Sequence, residues 1–313
     1  MRSCRTTMDQ INPLSDSLAH LPERKRQELA HILRVIFEEF DEWQRGKSEK
    51  KRLGKILKVI LFGSYARGDW VEDVESGYRS DYDLLAVVNI HSAAEEDEIW
   101  LKIDDRLALE YSVKQTISAP AKVIAHDLAE VNDKLARGLP FFVDISKDGI
   151  ALYEEPGHPL VEPTVLQPSQ QAAAAKEFLE DWLQRAQQFF ETAQLQLDRG
   201  WSKMAAFNLH QAAEASYHCA LLVFTLYSPK SHRLKFLRST AERIEPQLIE
   251  AWPRDTRFAR RCFERLDRAY VDARYSSHYE VTREELDWLV DRITVLQVLV
   301  EKVCRERIAP DER

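Results

Sequence analysis

Two aspartates lie two residues apart at the head of an apolar run that reads SDYDLLAVV, residues 80–88. Because the side chains of a β-strand alternate between its two faces, Asp81 and Asp83 are predicted to point the same way. Carboxylate oxygens are the protein ligands that Mg²⁺ prefers, with nucleotide phosphates and water completing its shell. The pair is therefore a candidate catalytic centre that binds Mg²⁺, or Mn²⁺ in its place.

A second candidate feature precedes the pair, where the apolar strand predicted over residues 56–62 meets Gly63 and Ser64 and a short helix follows. Backbone N–H groups and a hydroxyl at the start of a helix can bind a phosphate group. Glycine suits this place because a Cβ would block close approach of the backbone. Gly63 and Ser64 are thus candidate nucleotide-binding residues. Arg67 joins them either as a phosphate or carboxylate partner or as an ordinary surface arginine.

The order GSYARGD at residues 63–69 and then SDYDLLAVV resembles the signature of the minimal nucleotidyltransferases of the DNA polymerase beta superfamily, which include kanamycin nucleotidyltransferase. The resemblance covers about residues 55–153. It implies that Gly63 and Ser64 hold an NTP, with ATP expected, and that Asp81 and Asp83 bind Mg²⁺. The implied enzyme transfers NMP to a hydroxyl acceptor on a small molecule, an RNA end or a protein.

Two departures from the family pattern leave open whether this domain is catalytically active. The loop at residues 69–79, DWVEDVESGYR, is longer than usual and is interpreted as a rim insertion, a lid or an acceptor-binding element. Active members also carry a third carboxylate on a neighbouring strand, where it assists deprotonation of the attacking hydroxyl. The strand predicted within residues 118–126, SAPAKVIAH, has no acid. Asp127, Asp144 and Glu214 are possible substitutes, and a catalytically inactive nucleotide-binding module is an alternative.

The chain changes character after about residue 154. Strands and helices alternate before that point, ending in FFVDISKDGIALYEE at residues 141–155, where the turn at residues 147–149 predicts a hairpin. Residues 154–168 contain four prolines, as an interdomain linker does. The expected fold class is α+β, with a nucleotidyltransferase-like domain at residues 21–153 built on a small mixed sheet, then the linker, then a helical bundle at residues 169–307.

Helical periodicity predicts the elements of that bundle. The predicted helices cover residues 170–197, 202–226, 233–244, 255–274 and 282–307. Thr282 followed by Glu285 has the spacing of a capping box, which marks the start of the last helix.

Residues 207–237 and 266–286 resemble the HEPN domain, a helical bundle found beside or fused to minimal nucleotidyltransferases; the resemblance spans about residues 170–305. It implies a homodimer through the helical half. Many HEPN proteins are ribonucleases that use an Arg and a His, and the nearest match here, Arg274 and His278, is one residue short of the family spacing. A ribonuclease or toxin-like regulator that binds RNA is therefore the alternative function, and a structural role for Arg274 and His278 is the other interpretation.

Polar side chains also recur on one face of the helix predicted over residues 202–226. His210, Glu214 and His218 follow at four-residue spacing, which is compatible with a metal site or with a polar stripe on a bundle helix. The stripe is favoured because no fourth ligand is evident.

The bulk composition excludes several protein classes. A formal net charge of -8 gives no general attraction to nucleic acid or to an anionic membrane. The four cysteines lie far apart without a CxxC pair, as expected of reduced thiols in a cytoplasmic protein. No apolar run approaches a membrane span, and residues 1–10 lack the apolar core of a signal peptide. We expect neither export nor membrane anchoring.

Overall fold

The computed structural model describes residues 16–45, 53–72 and 79–309. The chain divides into two compact units between Val165 and Leu166. Each unit is described by itself.

The first unit combines a four-stranded sheet with helices. After a 3-10 turn at Asp16–Leu18, its elements are α1 (Glu23–Arg45), β1 (Ile56–Phe62), α2 (Ser64–Arg67), β2 (Tyr82–Val88), α3 (His91–Ala94), α4 (Asp97–Ser112), β3 (Ala121–Asp127), α5 (Leu128–Ala136), α6 (Pro140–Asp148) and β4 (Ile150–Glu154).

The sheet has the strand order β3-β2-β1-β4 and is mixed. Strand β2 is antiparallel to β1, with Phe62 opposite Asp83, and parallel to β3, with Asp83 opposite Lys122. Strand β4 pairs antiparallel with the other side of β1. The end of β1 and the beginnings of β2 and β3 therefore meet at one edge of the sheet, which we call the site edge.

The main core of this unit lies on one face of the sheet. It contains Tyr82 and the apolar residues that alternate with it along β2, packed with the apolar stripe of α1 that includes Ile32 and Ile36. Because β2 alternates, Asp83 and Leu85 point to the opposite face. Both of these residues are buried as well.

The hairpin predicted at residues 141–155 is wrong: α6 occupies the first part and only β4 is a strand. Pro140 fits the first turn of a helix, where its missing N–H costs nothing. Phe142 and Ile145 then follow at helical spacing and are buried. Gly149 ends the helix and donates its N–H to the carbonyl of Ile145 at 2.9 Å. The turn-like sequence was thus a helix terminus.

The second unit is helical. Its elements are α7 (Pro168–Asp198), α8 (Ser202–Thr225), α9 (Leu234–Ile244), a 3-10 segment at Pro246–Ala251, α10 (Arg257–Tyr275) and α11 (Arg283–Ile308). The predicted capping box is present, since Thr282 accepts the N–H of Glu285 and Glu285 accepts that of Thr282. The α+β fold class, a mixed sheet with helices followed by a helical region, is confirmed.

Three of the cysteines, Cys219, Cys262 and Cys304, are buried free thiols of this helical unit. Cys4 lies outside the described residues. Across the described part of the chain, no helix combines the length and the apolar character needed to cross a bilayer.

Candidate active site

Gly63 lies directly against the carboxylate of Asp83. The β1–β2 ladder ends with Phe62 opposite Asp83, and Gly63 then turns with φ 73° and ψ -153°. This backbone conformation is essentially restricted to glycine. A Cβ on Gly63 would also lie 2.6 Å from Oδ2 of Asp83, which is closer than atoms can pack. The geometry therefore requires glycine both for the turn and for the approach of the carboxylate.

The Gly-Ser turn leads into α2, which has only four residues. The N–H groups of Ala66 and Arg67 donate to the carbonyl of Gly63 at 3.1 Å, and Gly68 closes the turn by donating to Ser64 at 2.9 Å. So short a helix aligns few peptide dipoles and has a small macrodipole. A phosphate here would depend on the first N–H groups of the turn and on the Ser64 hydroxyl. The expected helix terminus is present, but its dipole contributes little.

The two aspartates differ in their surroundings. The side chain of Asp81 is 18% exposed and pairs with Nζ of Lys122 at 2.5 Å. Asp83 is only 3% exposed. Sequence reasoning missed Lys122, although a single lysine in the apolar strand SAPAKVIAH was a signal. The site edge thus brings two carboxylates and one ammonium group together.

Tyr82 lies between the two aspartates in sequence and anchors β2 on the opposite face of the sheet, which packs against α1. Its hydroxyl donates to Oε2 of Glu28 on α1 at 2.7 Å. Its ring stacks on Tyr65, with the ring centroids 4.2 Å apart. Burial, together with the hydrogen bond to Glu28, holds the pKa of Tyr82 far above its usual range, so the phenol stays protonated. Because Tyr65 follows Ser64, this stack joins the Gly-Ser turn to the aspartate strand.

Glu28 connects the same network to the beginning of β3. It accepts the backbone N–H of Ser118 at 3.0 Å and the Ser118 hydroxyl at 2.9 Å. Burial by itself would raise the pKa of Glu28, but the hydrogen bonds from Ser118 and Tyr82 and the charge of Lys25 outweigh burial. The pKa of Glu28 is therefore lowered, and the carboxylate remains charged beneath the site.

The predicted long loop has a structured base. Glu72 and Arg79 form a β-bridge, and Ser80 donates its N–H to the carbonyl of Val71 at 2.9 Å. The buried ammonium of Lys25 pairs with Glu72. Residues 73–78 of the loop lie outside the described part of the chain, so its role as a lid or acceptor-binding element stays a prediction.

Both units of the chain are similar to known protein families. A nucleotidyltransferase-domain model matches residues 44–146 and a HEPN-domain model matches residues 179–303. MJ0141 of Methanocaldococcus jannaschii, named as an inferred protein adenylyltransferase, is 40% identical over 72 residues, which are 21% of this chain and 67% of that relative. The chain belongs to the nucleotidyltransferase family. A second relative from the same organism, MJ0604, carries the same kind of name and is 48% identical over 42 residues, 13% of this chain and 36% of its own.

Two of the three candidates for the third acid, Asp127 and Asp144, lie in this nucleotidyltransferase domain, and Glu214 lies in the HEPN domain. Asp127 is the last residue of β3, about 16 Å along the strand from Lys122 at the usual rise per residue. It caps α5 by accepting the N–H of Glu130 at 2.9 Å. Asp127 is therefore a structural cap remote from the site edge. On the face that Asp83 shares, β3 presents Lys122 and Ile124 in place of an acid.

Asp144 remains as a candidate. It lies on α6, whose Phe141 packs on Phe62 with the ring centroids 5.5 Å apart, so this helix borders the end of β1. Burial raises the pKa of Asp144, the charge of Asp148 raises it further, and the nearby Lys147 and Arg67 oppose the shift. Arg67 itself lies on the rim and pairs weakly with Asp69 at 3.4 Å.

Among the described residues, one group of three side chains has the mutual spacing of metal ligands: His91, Asp127 and Glu130, at the opposite end of β2 and β3. Its carboxylate oxygens already have partners. His91 pairs with Asp127 at 2.7 Å, and Glu130 pairs with His126 at 2.8 Å and with Lys134 at 3.3 Å. These contacts account for the cluster as structural pairing.

In the HEPN domain, the buried Glu214 of α8 lies against His210 of the same helix and against His232, which lies between α8 and α9. Glu214 is bonded by His210 at 3.2 Å and by His232 at 3.1 Å, and the other nitrogen of His210 faces the carbonyl of Leu266 at 2.9 Å. Burial opposes ionisation of Glu214, but the bonds from His210 and His232 hold its pKa at about 2. This is a buried hydrogen-bond cluster that ties α8 to α10. Glu214 is fully engaged in it.

His218 on the same helix is bonded to the Ser228 hydroxyl at 2.6 Å. Its Nε2 lies 3.9 Å from Glu214. Burial lowers the pKa of His218 to about 4, so the ring is neutral near pH 7.

The HEPN residues Arg274 and His278 lie at the end of α10. Arg274 donates to the carbonyl of Tyr270 at 2.7 Å, and its guanidinium lies over the rings of Tyr270, Phe207 and Tyr275 at 4.4, 5.1 and 5.0 Å. His278 is exposed. The contacts of Arg274 favour its structural role at the helix end.

Proposed function

We propose that this nucleotidyltransferase transfers AMP from ATP to a hydroxyl group on a protein, with Mg²⁺. The observation that carries the proposal is the contact between Gly63 and the Asp83 carboxylate, which joins a phosphate-binding turn to an acidic pair. Both relatives named above are inferred protein adenylyltransferases, which supports AMP as the transferred group and protein as the acceptor.

The donor groups at the site edge fit a magnesium ion. Mg²⁺ in nucleotide sites is bound through one or two carboxylates, the substrate phosphates and water. Asp81 and Asp83 offer two carboxylates on one face. The space beside Gly63 at the Asp83 carboxylate is so narrow that a Cβ would fill it. When bound, the ion would neutralise charge on the triphosphate and on the departing pyrophosphate.

The chain's own residues would divide the remaining work. Ser64 and the first N–H groups of α2 would bind triphosphate oxygens, and Gly63 would let them approach Asp83. The acceptor oxygen forms a bond to the α-phosphorus, the bond to the bridging oxygen breaks, and pyrophosphate leaves with the electron pair. Asp144 is the carboxylate proposed to receive the hydroxyl proton, because its helix α6 borders the end of β1 through the contact between Phe141 and Phe62. Burial raises its pKa above the ordinary value, which is the direction that favours a general base.

The reaction type can be tested with ATP labelled at either the α- or the γ-phosphate. The protein, Mg²⁺ and a cell extract as the source of acceptors are incubated with each label. We expect protein-bound label from α-labelled ATP only, together with release of pyrophosphate. Label from γ-labelled ATP would identify phosphoryl transfer instead. No label from any α-labelled NTP, in the presence of extract, would refute the proposal.

Two wider expectations belong to the same proposal. The free buried thiols of Cys219, Cys262 and Cys304 suit a reducing compartment such as the cytoplasm. A homodimer through the HEPN domain is proposed from the family resemblance, and sedimentation equilibrium of the intact chain tests it. A mass equal to the 36.4 kDa chain at micromolar concentration would refute the dimer.

A further inference from the structure

The ion pair between Lys122 and Asp81 lies within the proposed metal-binding pair. Lys122 is the register partner of Asp83, yet its Nζ lies 2.5 Å from Oδ2 of Asp81. The side chains of Lys122 and Asp81 are 16% and 18% exposed, so water screens their attraction only in part. The backbone of Lys122 is fixed by the parallel pairing of β2 and β3, and Asp81 immediately precedes β2, whose first residue, Tyr82, donates its N–H to the carbonyl of Pro120 at 2.7 Å.

This position gives Lys122 a direct effect on cation binding. The aspartates carry two negative charges, and the ammonium removes one of them from the field that a divalent cation would feel. The cation must also compete with Lys122 for the Asp81 oxygen, because the ammonium already contacts it. Lysine has a flexible stem and three rotatable donors, so it can exchange a carboxylate for a phosphate oxygen without movement of the strand.

We propose that in the free enzyme the ammonium group of Lys122 occupies the position of a metal cation beside Asp81. When the nucleotide binds, this ammonium group moves from Asp81 to the triphosphate. Asp81 is then released to bind the metal that arrives with the nucleotide. Lys122 thus weakens binding of the free ion and strengthens binding of the metal–nucleotide complex. This inference rests on the metal and nucleotide roles of the proposed function and adds the order in which they are bound.

The test uses the full chain and two probes, Mn²⁺ alone and Mn²⁺ with the unreactive α,β-methylene analogue of ATP. Free Mn²⁺ is followed by electron paramagnetic resonance, and nucleotide binding by calorimetry. In Lys122→Met we expect Mn²⁺ alone to bind about tenfold more tightly, because a competing charge is gone. We expect the Mn²⁺–analogue complex to bind about tenfold more weakly, because a phosphate partner is gone.

Lys134→Met is the matched control. Lys134 is 20% exposed and pairs with Glu130 on α5, so it resembles Lys122 in burial and pairing but lies at the opposite end of the sheet. We expect both affinities to be unchanged in it. If Lys122→Met does not fold, as judged by circular dichroism, Lys122→Gln keeps a donor to Asp81 and still removes the charge, and the same opposite shifts are expected.

Changes of the two affinities in the same direction, or no change in either, would overturn the proposal. Neither measurement requires group transfer. Absence of AMP transfer in the wild type would therefore refute the proposed function alone, whereas equal Mn²⁺ affinity in wild type and variant would refute only the role of Lys122.

Discussion

Gly63 and Asp83 face each other across the end of the β1–β2 pair so closely that a Cβ on Gly63 would lie 2.6 Å from the Asp83 carboxylate. The glycine that permits the candidate phosphate-binding turn is therefore the same residue that leaves room for a candidate metal ligand. A substitution of Gly63 should therefore affect both the stability of the fold and the position of Asp83, and these two effects can be measured separately.

Gly63→Ala is expected to abolish binding of Mn²⁺ and nucleotide while the chain stays folded. The new methyl meets the end of a short side chain, so Asp83 can rotate away and the site loses its ligand geometry. The positive φ adds a backbone cost of about 1–3 kcal/mol. Calorimetry for binding and urea unfolding for stability measure the two effects.

Gly157→Ala is the control for the backbone cost. Gly157 also has a positive φ, 88°, but a Cβ there would meet nothing within 4 Å. The Gly157→Ala variant should lose about 1 kcal/mol of the free energy of unfolding and should bind Mn²⁺ and nucleotide as the wild type does. Equal binding by the two variants would show that Gly63 does not position Asp83.

Tyr82→Phe is expected to lower the free energy of unfolding by about 2 kcal/mol. The substitution removes a 2.7 Å hydrogen bond to the buried carboxylate of Glu28, and bonds to charged groups are among the stronger ones. Tyr153→Phe is the control, because its hydroxyl donates at 3.0 Å to the half-buried Glu155. Its loss should stay below about 1 kcal/mol. Urea unfolding that gives equal losses would contradict the anchoring role of Tyr82.

Acidification from pH 6.5 to pH 4 is expected to destabilise the HEPN domain through His218. Burial lowers the pKa of His218 from 6.5 to about 4, so the unfolded chain binds more protons in this window. The stabilisation is complete above pH 6.5 and is lost as the pH falls towards 4, by up to about 3 kcal/mol. Urea unfolding followed by circular dichroism at several pH values measures it.

His218→Gln should flatten this dependence, because glutamine can still bond to Ser228 but does not titrate. His278→Gln, at an exposed position, should leave the dependence as in the wild type. The carboxylate of Glu214 has a pKa of about 2 in the folded chain and 4.5 in the unfolded chain, so it adds to the loss of stability below about pH 5, and that part of the dependence should remain in His218→Gln. An unchanged slope in His218→Gln would assign the pH dependence to other groups.

Features that depend on local sequence could be predicted, and features that depend on distant partners could not. The strand before Gly63, the long helices of the second unit and the Thr282 capping box follow from periodicity and from residues three apart. The hairpin predicted at residues 141–155 failed because FFVDI reads equally well as a strand or as a buried helix face.

At the site itself, the sequence predicted that Asp81 and Asp83 point the same way; in the structure Asp83 lies in β2 and Asp81 immediately precedes it. It did not indicate that Lys122 would contact Asp81, because that contact depends on the parallel register of β2 and β3. Nor did it indicate that Tyr82 would reach Glu28 on α1. Both contacts are set by packing between elements that are far apart in the chain.

The central claim, that Asp81 and Asp83 carry AMP transfer, is tested most directly by the rate of protein labelling from α-labelled ATP in Asp81→Asn and Asp83→Asn. Each variant replaces an anionic ligand with a neutral group of the same shape, and Asp133→Asn on the surface of α5 serves as the control. We predict a loss of at least about a hundredfold in both site variants, with the fold retained and the control unaffected. Labelling at the wild-type rate in either site variant would contradict the account.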